Sequence, residues 1–382
     1  MTIPAQPSEH AALLAESVAD FVRRATNVAR VRALHEAGGE CDRAQWRRLA
    51  ELGWLGVVVP ERFGGMGLGI TEAAIVAEGL ARGLVPEPFT ATAVLAVSII
   101  AGGDNEALKS ELLPQIVAGR LLPAVAWQER AGELDPDAID AIAVPFEGGF
   151  RLSGTKPFIA AAADADAFVV SARHAGELAL FWVKRDTAGA RLTLQRLADG
   201  RSSGTLALTD VMVAREGMVA SPAAARAALA QALDRATVVV GAELLGVMGR
   251  ALEMSLDYMK TRVQFGKPIG SFQALQHRAV DLYLQKELAA AALAEAVDAL
   301  DGGVDDATRA ALASRVKARA SEAALRVTRE AIQLHGAIGF TEDCDVGLYT
   351  KRALVLSAWL GNATAHRRRY ARIAAQQGGA HD

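Results

Sequence analysis

The most unusual segment of the chain is 262–273, RVQFGKPIGSFQ. Gly266, Pro268 and Gly270 interrupt two strongly helical stretches, so the segment must turn. A turn carrying Arg262, Lys267 and the amide of Gln273 presents N–H donors of the kind that suit a phosphate diester. The plain alternative is a helix–helix connection with solvated charges, and composition alone favours it. Other reactive constellations are scarce: there is no GxSxG, no HExxH and no Walker loop. The seven histidines are scattered, and His366, among Arg367, Arg368 and Arg369, reads as part of a solvated or anion-facing helix face. The glycine-dense run 62–69, RFGGMGLG, follows no clear strand and matches neither nucleotide-binding fingerprint, so it reads as a turn. Cys41 and Cys344 have no metal-ligand spacing around them; one buried and one loop thiol are expected, and no metal site.

These residues need elements to hold them. From Glu9 to about Ile116 the pattern is helical. Asp42 can cap a helix in which Trp46, Leu49 and Leu52 share one face and Gly53 ends it. Near Leu121 the texture changes. Runs at 141–146 and 150–159 flank Glu147, Gly148 and Gly149 as a hairpin, and further short runs follow at 167–172, 178–184, 191–197 and 205–213. Their spacing predicts an antiparallel barrel or sandwich. Beyond about Ser221 the chain is helical again. Leu245, Met248, Leu252, Ser255 and Met259 mark one face; Leu312, Val316, Ala323, Val327 and Ala331 mark another, with Gly336 at the expected C-terminal cap. The expected fold is α+β and multidomain: an N-terminal helical domain at 1–120, a β domain at 121–215, and a four-helix-like bundle at 216–382.

At 382 residues two or three domains are available, and 51% hydrophobic against 22% charged residues excludes wholesale disorder. The longest apolar stretch, 91–101, is too short to span a bilayer. A net charge of −3 leaves no basic surplus for a nucleic-acid backbone. The opening MTIPAQPSEH lacks a charged region followed by an apolar core, so no export signal is read and a cytoplasmic protein is expected.

Segment 262–273 resembles the signature of the acyl-CoA dehydrogenases, flavoenzymes that introduce a 2,3-double bond into acyl-CoA thioesters. The match runs on through ALQHRAVDLYL at 274–284. IQLHGAIGFTED at 332–343 resembles the family's Gln-x-x-Gly-Gly-x-Gly-Phe stretch. LSGTKPFIAAAADADAFVVSAR at 152–173 is similar to its Gly-x-Lys segment with a flavin-facing Trp-x-Thr, and LAELGWLGVVVPERFGGMGLG is a fourth match. The resemblance implies FAD as cofactor. Arg262 would contact the pyrophosphate of a neighbouring subunit's FAD, Phe265 would pack on it and Gln273 would bond it. Gln333 and the backbone of His335, Gly336 and Ala337 would hold the ADP half, Asn362 and Thr364 would touch FAD again, and Phe158 would face the flavin. Electron-transfer flavoprotein is the implied electron acceptor.

The departures bear on mechanism. The family takes the α proton of the thioester with a Glu while hydride leaves the β carbon. The usual Tyr-Glu-Gly-Thr is here Trp359-Leu360-Gly361-Asn362, so the base position holds Leu360. The minority position, counted back from Arg262, holds Ala236. Neither can accept a proton. Glu243 lies on the same helix face as Ala236, about 10 Å along the axis, whereas Asp234 points the other way. Glu243 is the better in-chain candidate, with a buried salt bridge to an arginine in the bundle as its plain alternative. Phe158 and Ala160 replace the family's Trp and Thr, which removes a hydroxyl expected beside the flavin. The resemblance implies a homo- or hetero-oligomer, a dimer or dimer of dimers through the C-terminal bundle, and a subunit of a heteromeric enzyme whose second acyl-CoA dehydrogenase chain supplies the base. The alternatives are a non-catalytic assembly or regulatory subunit, or a monooxygenase-like relative. The acyl chain is not disclosed.

Overall fold

In the computed structural model, residues 9–25, 28–36 and 41–378 are described, so most of MTIPAQPSEH and His381 lie outside them. The N-terminal helices are α1 Glu9–Ala25, α2 Val28–Glu36, α3 Arg43–Glu51, α4 Ile70–Arg82, α5 Val97–Gly102 and α6 Glu106–Val117. The start of α3 follows its sequence: Asp42 accepts from the Ala44 amide, and Trp46 and Leu49 are buried. The glycine run forms a turn. A Cβ at Gly65 would sit 2.1 Å from the Val59 carbonyl oxygen, so close backbone approach accounts for that glycine. A π-helical stretch, Thr90–Ala96, leads into α5.

The expected strands form: β2 Ile142–Phe146, β3 Gly149–Ala160, β4 Ala167–His174, β5 Glu177–Lys184, β6 Ala190–Arg196 and β7 Ser202–Ala214. Two more join them, β1 Pro123–Ala126 and β8 Met218–Ala220. The sheet runs β6-β7-β3-β2-β4-β5-β8, with β1 on β4. It is mostly antiparallel, but β1 pairs with β4 in parallel and β2 meets β4 in parallel at Ile142 and Arg173, departures from the all-antiparallel expectation. All four residues of β1 are buried, so it has no inward–outward alternation by which to be read.

The C-terminal helices are α7 Pro222–Thr261, α8 Gln273–Gly302, α9 Asp306–His335, α10 Val346–Ala358 and α11 Ala363–Gly378. Asp305 caps α9, and Gly336 ends it at φ 68°. By packing, the chain gathers into two compact units. The first comprises Met1–Arg32, Ala74–Val85 and Thr237–Asp382, and the second Ala33–Ala73 and Pro86–Ala236. Among the described residues, no helix is long and apolar enough to cross a membrane.

Candidate active site

In the first unit, α7 ends at Thr261 and the chain enters a short ribbon, β9 Val263–Gln264 paired antiparallel with β10 Lys267–Pro268. Phe265 at its tip has φ 53° and is 91% exposed. Arg262, Lys267 and Gln273 are exposed beside it. No side chain caps the N-terminus of α8, so its amides add positive character next to these donors. The Phe272 ring lies 6.0 Å from Phe265 edge-on, with the Lys267 ammonium 4.5 Å from its centre.

The second group sits at the C-terminal end of α9. Gln333 and Ala337 are exposed, whereas His335 is buried, its Nδ1 2.7 Å from the Ala331 carbonyl oxygen. Tyr258 stacks on His335 at 4.6 Å, which ties the end of α9 to the last turn of α7, one turn before Arg262. The ribbon and the α9 terminus therefore form one neighbourhood.

The third group, Leu360, Asn362 and Thr364, is elsewhere. Lys317 of α9 donates to the Gly361 carbonyl at 2.6 Å and to the Ser357 carbonyl at 3.1 Å. Sixteen residues of helix separate Lys317 from Gln333, about 24 Å at 1.5 Å per residue. One chain thus places one set of candidate ligands at the C-terminal end of α9 and the other beside its middle turns. Asn362 caps α11 by accepting from the Ala365 amide at 2.9 Å, so that oxygen is committed to the backbone.

Leu360 is 3% exposed and left-handed, at φ 55°. His366 donates from Nε2 to the Leu360 carbonyl at 2.8 Å and is 1% exposed. This corrects the expectation of a solvated face: helix periodicity turns His366 inward while Arg367 and Arg368 point out. Burial pushes His366 down to about 3, against the Leu360 hydrogen bond, with Lys317 and Arg369 adding to the depression. Burial alone pushes Lys317 down to about 7. Sequence reasoning missed Lys317 altogether.

Ala236 is fully buried, in the part of α7 that belongs to the second unit. Glu243, on α7 in the first unit, holds Arg352 of α10 at 2.7 Å with both side chains about a tenth exposed. The salt-bridge alternative is what the structure contains. Its carboxylate is thus engaged by a guanidinium inside the bundle.

In the second unit Phe158 lies in β3 at φ 63° and is 47% exposed, beside half-buried Ala160. Two residues earlier, Lys156 is completely buried against Glu129 at 2.5 Å. Neither of this pair figured among the expected site residues. Cys41 and Cys344 are both free and half-buried, and burial pushes the Cys41 thiol well up.

Residues 8–120 match the acyl-CoA dehydrogenase N-terminal domain and residues 225–375 the acyl-CoA dehydrogenase C-terminal domain. The chain is 32% identical to acyl-CoA dehydrogenase IpdE2 of Mycolicibacterium smegmatis over 350 residues, 91% of this chain and 93% of that one. The chain belongs to the acyl-CoA dehydrogenase family. Its fold superposes on the Tcur3481-Tcur3483 steroid ACAD, solved as a variant, with a TM-score of 0.88 and 31% identity, covering 97% of this chain and 99% of that one. It matches the ChsE4-ChsE5 complex of Mycobacterium tuberculosis with the same TM-score at 29% identity, covering 97% and 98%. Membership makes the chain an oxidoreductase by descent, and both of these solved relatives carry two protein names, the second as a complex.

Proposed function

We propose that the chain is an FAD-dependent acyl-CoA dehydrogenase subunit that acts in 2,3-dehydrogenation of an acyl-CoA thioester with a second, homologous subunit that supplies the base. The observation that carries this reading is the turn at Leu360. Its backbone is held in place at three carbonyls by Lys317 and His366, yet the residue it presents is a leucine. The scaffold for a base is kept and the base is gone. Ala236 is apolar too, and Glu243 is engaged by Arg352.

The donor set suits FAD. Arg262, Lys267, Gln273 and the uncapped start of α8 offer charge and N–H groups to a diphosphate. Phe265 and Phe340, 91% and 80% exposed, offer flat apolar faces to its rings. Bound there, FAD would supply the acceptor for the hydride that leaves the β carbon. The chain's own residues bind and orient; none of them removes the α proton.

Exposure of this donor set supports sharing across an interface. Val280, Leu284 and Leu288, spaced four apart on α8, are each about half exposed, and Tyr283 beside them is 51% exposed. Such a stripe on a long helix supports docking of another acyl-CoA dehydrogenase chain through the C-terminal helices. The named heteromeric relatives favour a different chain over an identical one. A steroid or other lipid-derived acyl group, electron-transfer flavoprotein as acceptor, a cytoplasmic site of action, and the division 1–120, 121–215 and 216–382 belong to the same proposal.

Anaerobic titration of the purified chain with acyl-CoAs, followed by flavin bleaching, tests the reading. Little or no bleaching is expected from the chain alone, and bleaching when the partner with an intact Glu is added. A positioned base contributes about 10²–10⁴-fold. Rapid stoichiometric bleaching by the lone chain overturns the proposal, and uptake of no FAD in either state favours the non-catalytic subunit.

A further inference from the structure

Strand β3 does something regular strands do not. Lys156 and Ile159, three residues apart, both point inward, at 0% and 1% exposure. Strict alternation forbids that, because residues an odd number apart face opposite sides. The contradiction is resolved by a bulge: Lys156 pairs with Leu206 and Ile159 with Gly204, so three steps along β3 face two along β7. The extra residue falls between them. Phe158 absorbs it with φ 63°, a conformation rare for a bulky side chain, and its ring is turned out to 47% exposure.

One inward anchor is apolar and ordinary. The other is an ammonium, which stays inside only when it is met by partners. Lys156 Nζ donates to Glu129 at 2.5 Å, to the Ser171 hydroxyl at 2.9 Å and to the Trp127 carbonyl at 3.4 Å. Glu129 also accepts from the amides of Asp140 at 2.6 Å and Ala141 at 3.0 Å, so its carboxylate is fixed from the loop side. Ser171 donates to the same Trp127 carbonyl at 3.1 Å. The anchor thus joins the end of β1, the loop after it, β4 and β3 at one buried point.

We propose that Lys156 and Glu129 are a positioning pair that fixes the β3 bulge and thereby sets the positive φ of Phe158 and the direction in which its ring is presented to the flavin. The inference rests on the reading of Phe158 as the flavin-facing residue. Without the pair, nothing polar holds position 156 inside, and with Ile159 as the remaining anchor the strand can return to plain alternation, which removes the positive φ at Phe158 and re-aims its ring.

The test is a double-mutant cycle on FAD retention, read by flavin fluorescence. Lys156→Thr should weaken FAD binding about tenfold in the wild-type chain, within the range for sites coupled through a backbone shift. In a Phe158→Ala background the same change should matter less than about twofold. The loss of unfolding stability should be the same in both backgrounds, which separates positioning from general damage. Glu129→Gln should move FAD binding in the same direction. Crystal structures of the wild-type and Lys156→Thr chains should have Phe158 at positive φ in the first and at negative φ in the second. Equal FAD losses in both backgrounds, or an unchanged bulge in Lys156→Thr, overturn the proposal. A wild-type chain that takes up no FAD, alone or with its partner, ends the flavin reading; the backbone at Phe158 still decides whether the pair sets the bulge.

Discussion

Two places in the molecule force a large non-glycine residue into the left-handed region beside a buried lysine, and they do it differently. At the Leu360 turn in the first unit, Lys317 meets only backbone carbonyls and the strained residue is 3% exposed. At the Phe158 bulge in the second unit, Lys156 meets a carboxylate and the strained residue is 47% exposed. Burial lowers both lysines. Lys317 goes to about 7 with nothing opposing, while Lys156 stops at about 8 because the Glu129 hydrogen bond and charge favour its protonated form. A lysine that tightens a turn can work as a neutral donor; a lysine that anchors a strand through a carboxylate works by its charge. The first buries its strained side chain, and the second displays it.

The largest effect expected is at the turn. Lys317→Met leaves two buried carbonyls without a donor, at about 1–3 kcal/mol each, so chemical denaturation should record a loss of about 2–6 kcal/mol. A loss below about 1 kcal/mol would mean that the turn holds itself.

The comparison also has a pH signature. Lys317 is lowered in the folded state, to about 7 from 10.5, so between those values the unfolded chain binds more protons. Stability therefore rises with pH from about 7 upward, and Lys156 adds a rise of the same sign from about 8. His366, held at about 3, withdraws stability as pH falls below its ordinary value near 6.5. Unfolding curves across pH should lose the lower part of the alkaline rise in Lys317→Met and keep the part that begins near 8.

Glycine at each strained position sharpens the contrast by sign. Leu360→Gly relieves strain but removes a buried side chain worth about 1.5–3 kcal/mol, so a net loss of about 1–2 kcal/mol is expected on unfolding. Phe158→Gly relieves strain and gives up a side chain already half in water. It should be neutral or stabilising by up to about 1 kcal/mol, the smallest effect of the set, while FAD retention falls. Equal destabilisation at the two positions would erase the distinction drawn between them.

The sequence by itself determined the order helix, sheet, helix, because periodicities of two and of 3.6 leave visible marks. It also determined the turn at 262–273, where glycine and proline cannot continue a helix, and it put apolar residues at Leu360 and Ala236, where the family resemblance leads one to expect a carboxylate. It did not reveal β1, whose four buried residues carry no alternation. Nor did it disclose Lys156, Lys317 or His366 as interior groups. Lys317 stands between Val316 and Ala318 and before Arg319, and His366 precedes three arginines; such neighbours suggest a wet helix face. Only the tertiary structure decided otherwise, by bringing Glu129 to Lys156 and the carbonyls of the 357–361 turn to Lys317 and His366. A charged or polar side chain stays buried only where a distant stretch of chain supplies its partner, and no local pattern encodes that meeting.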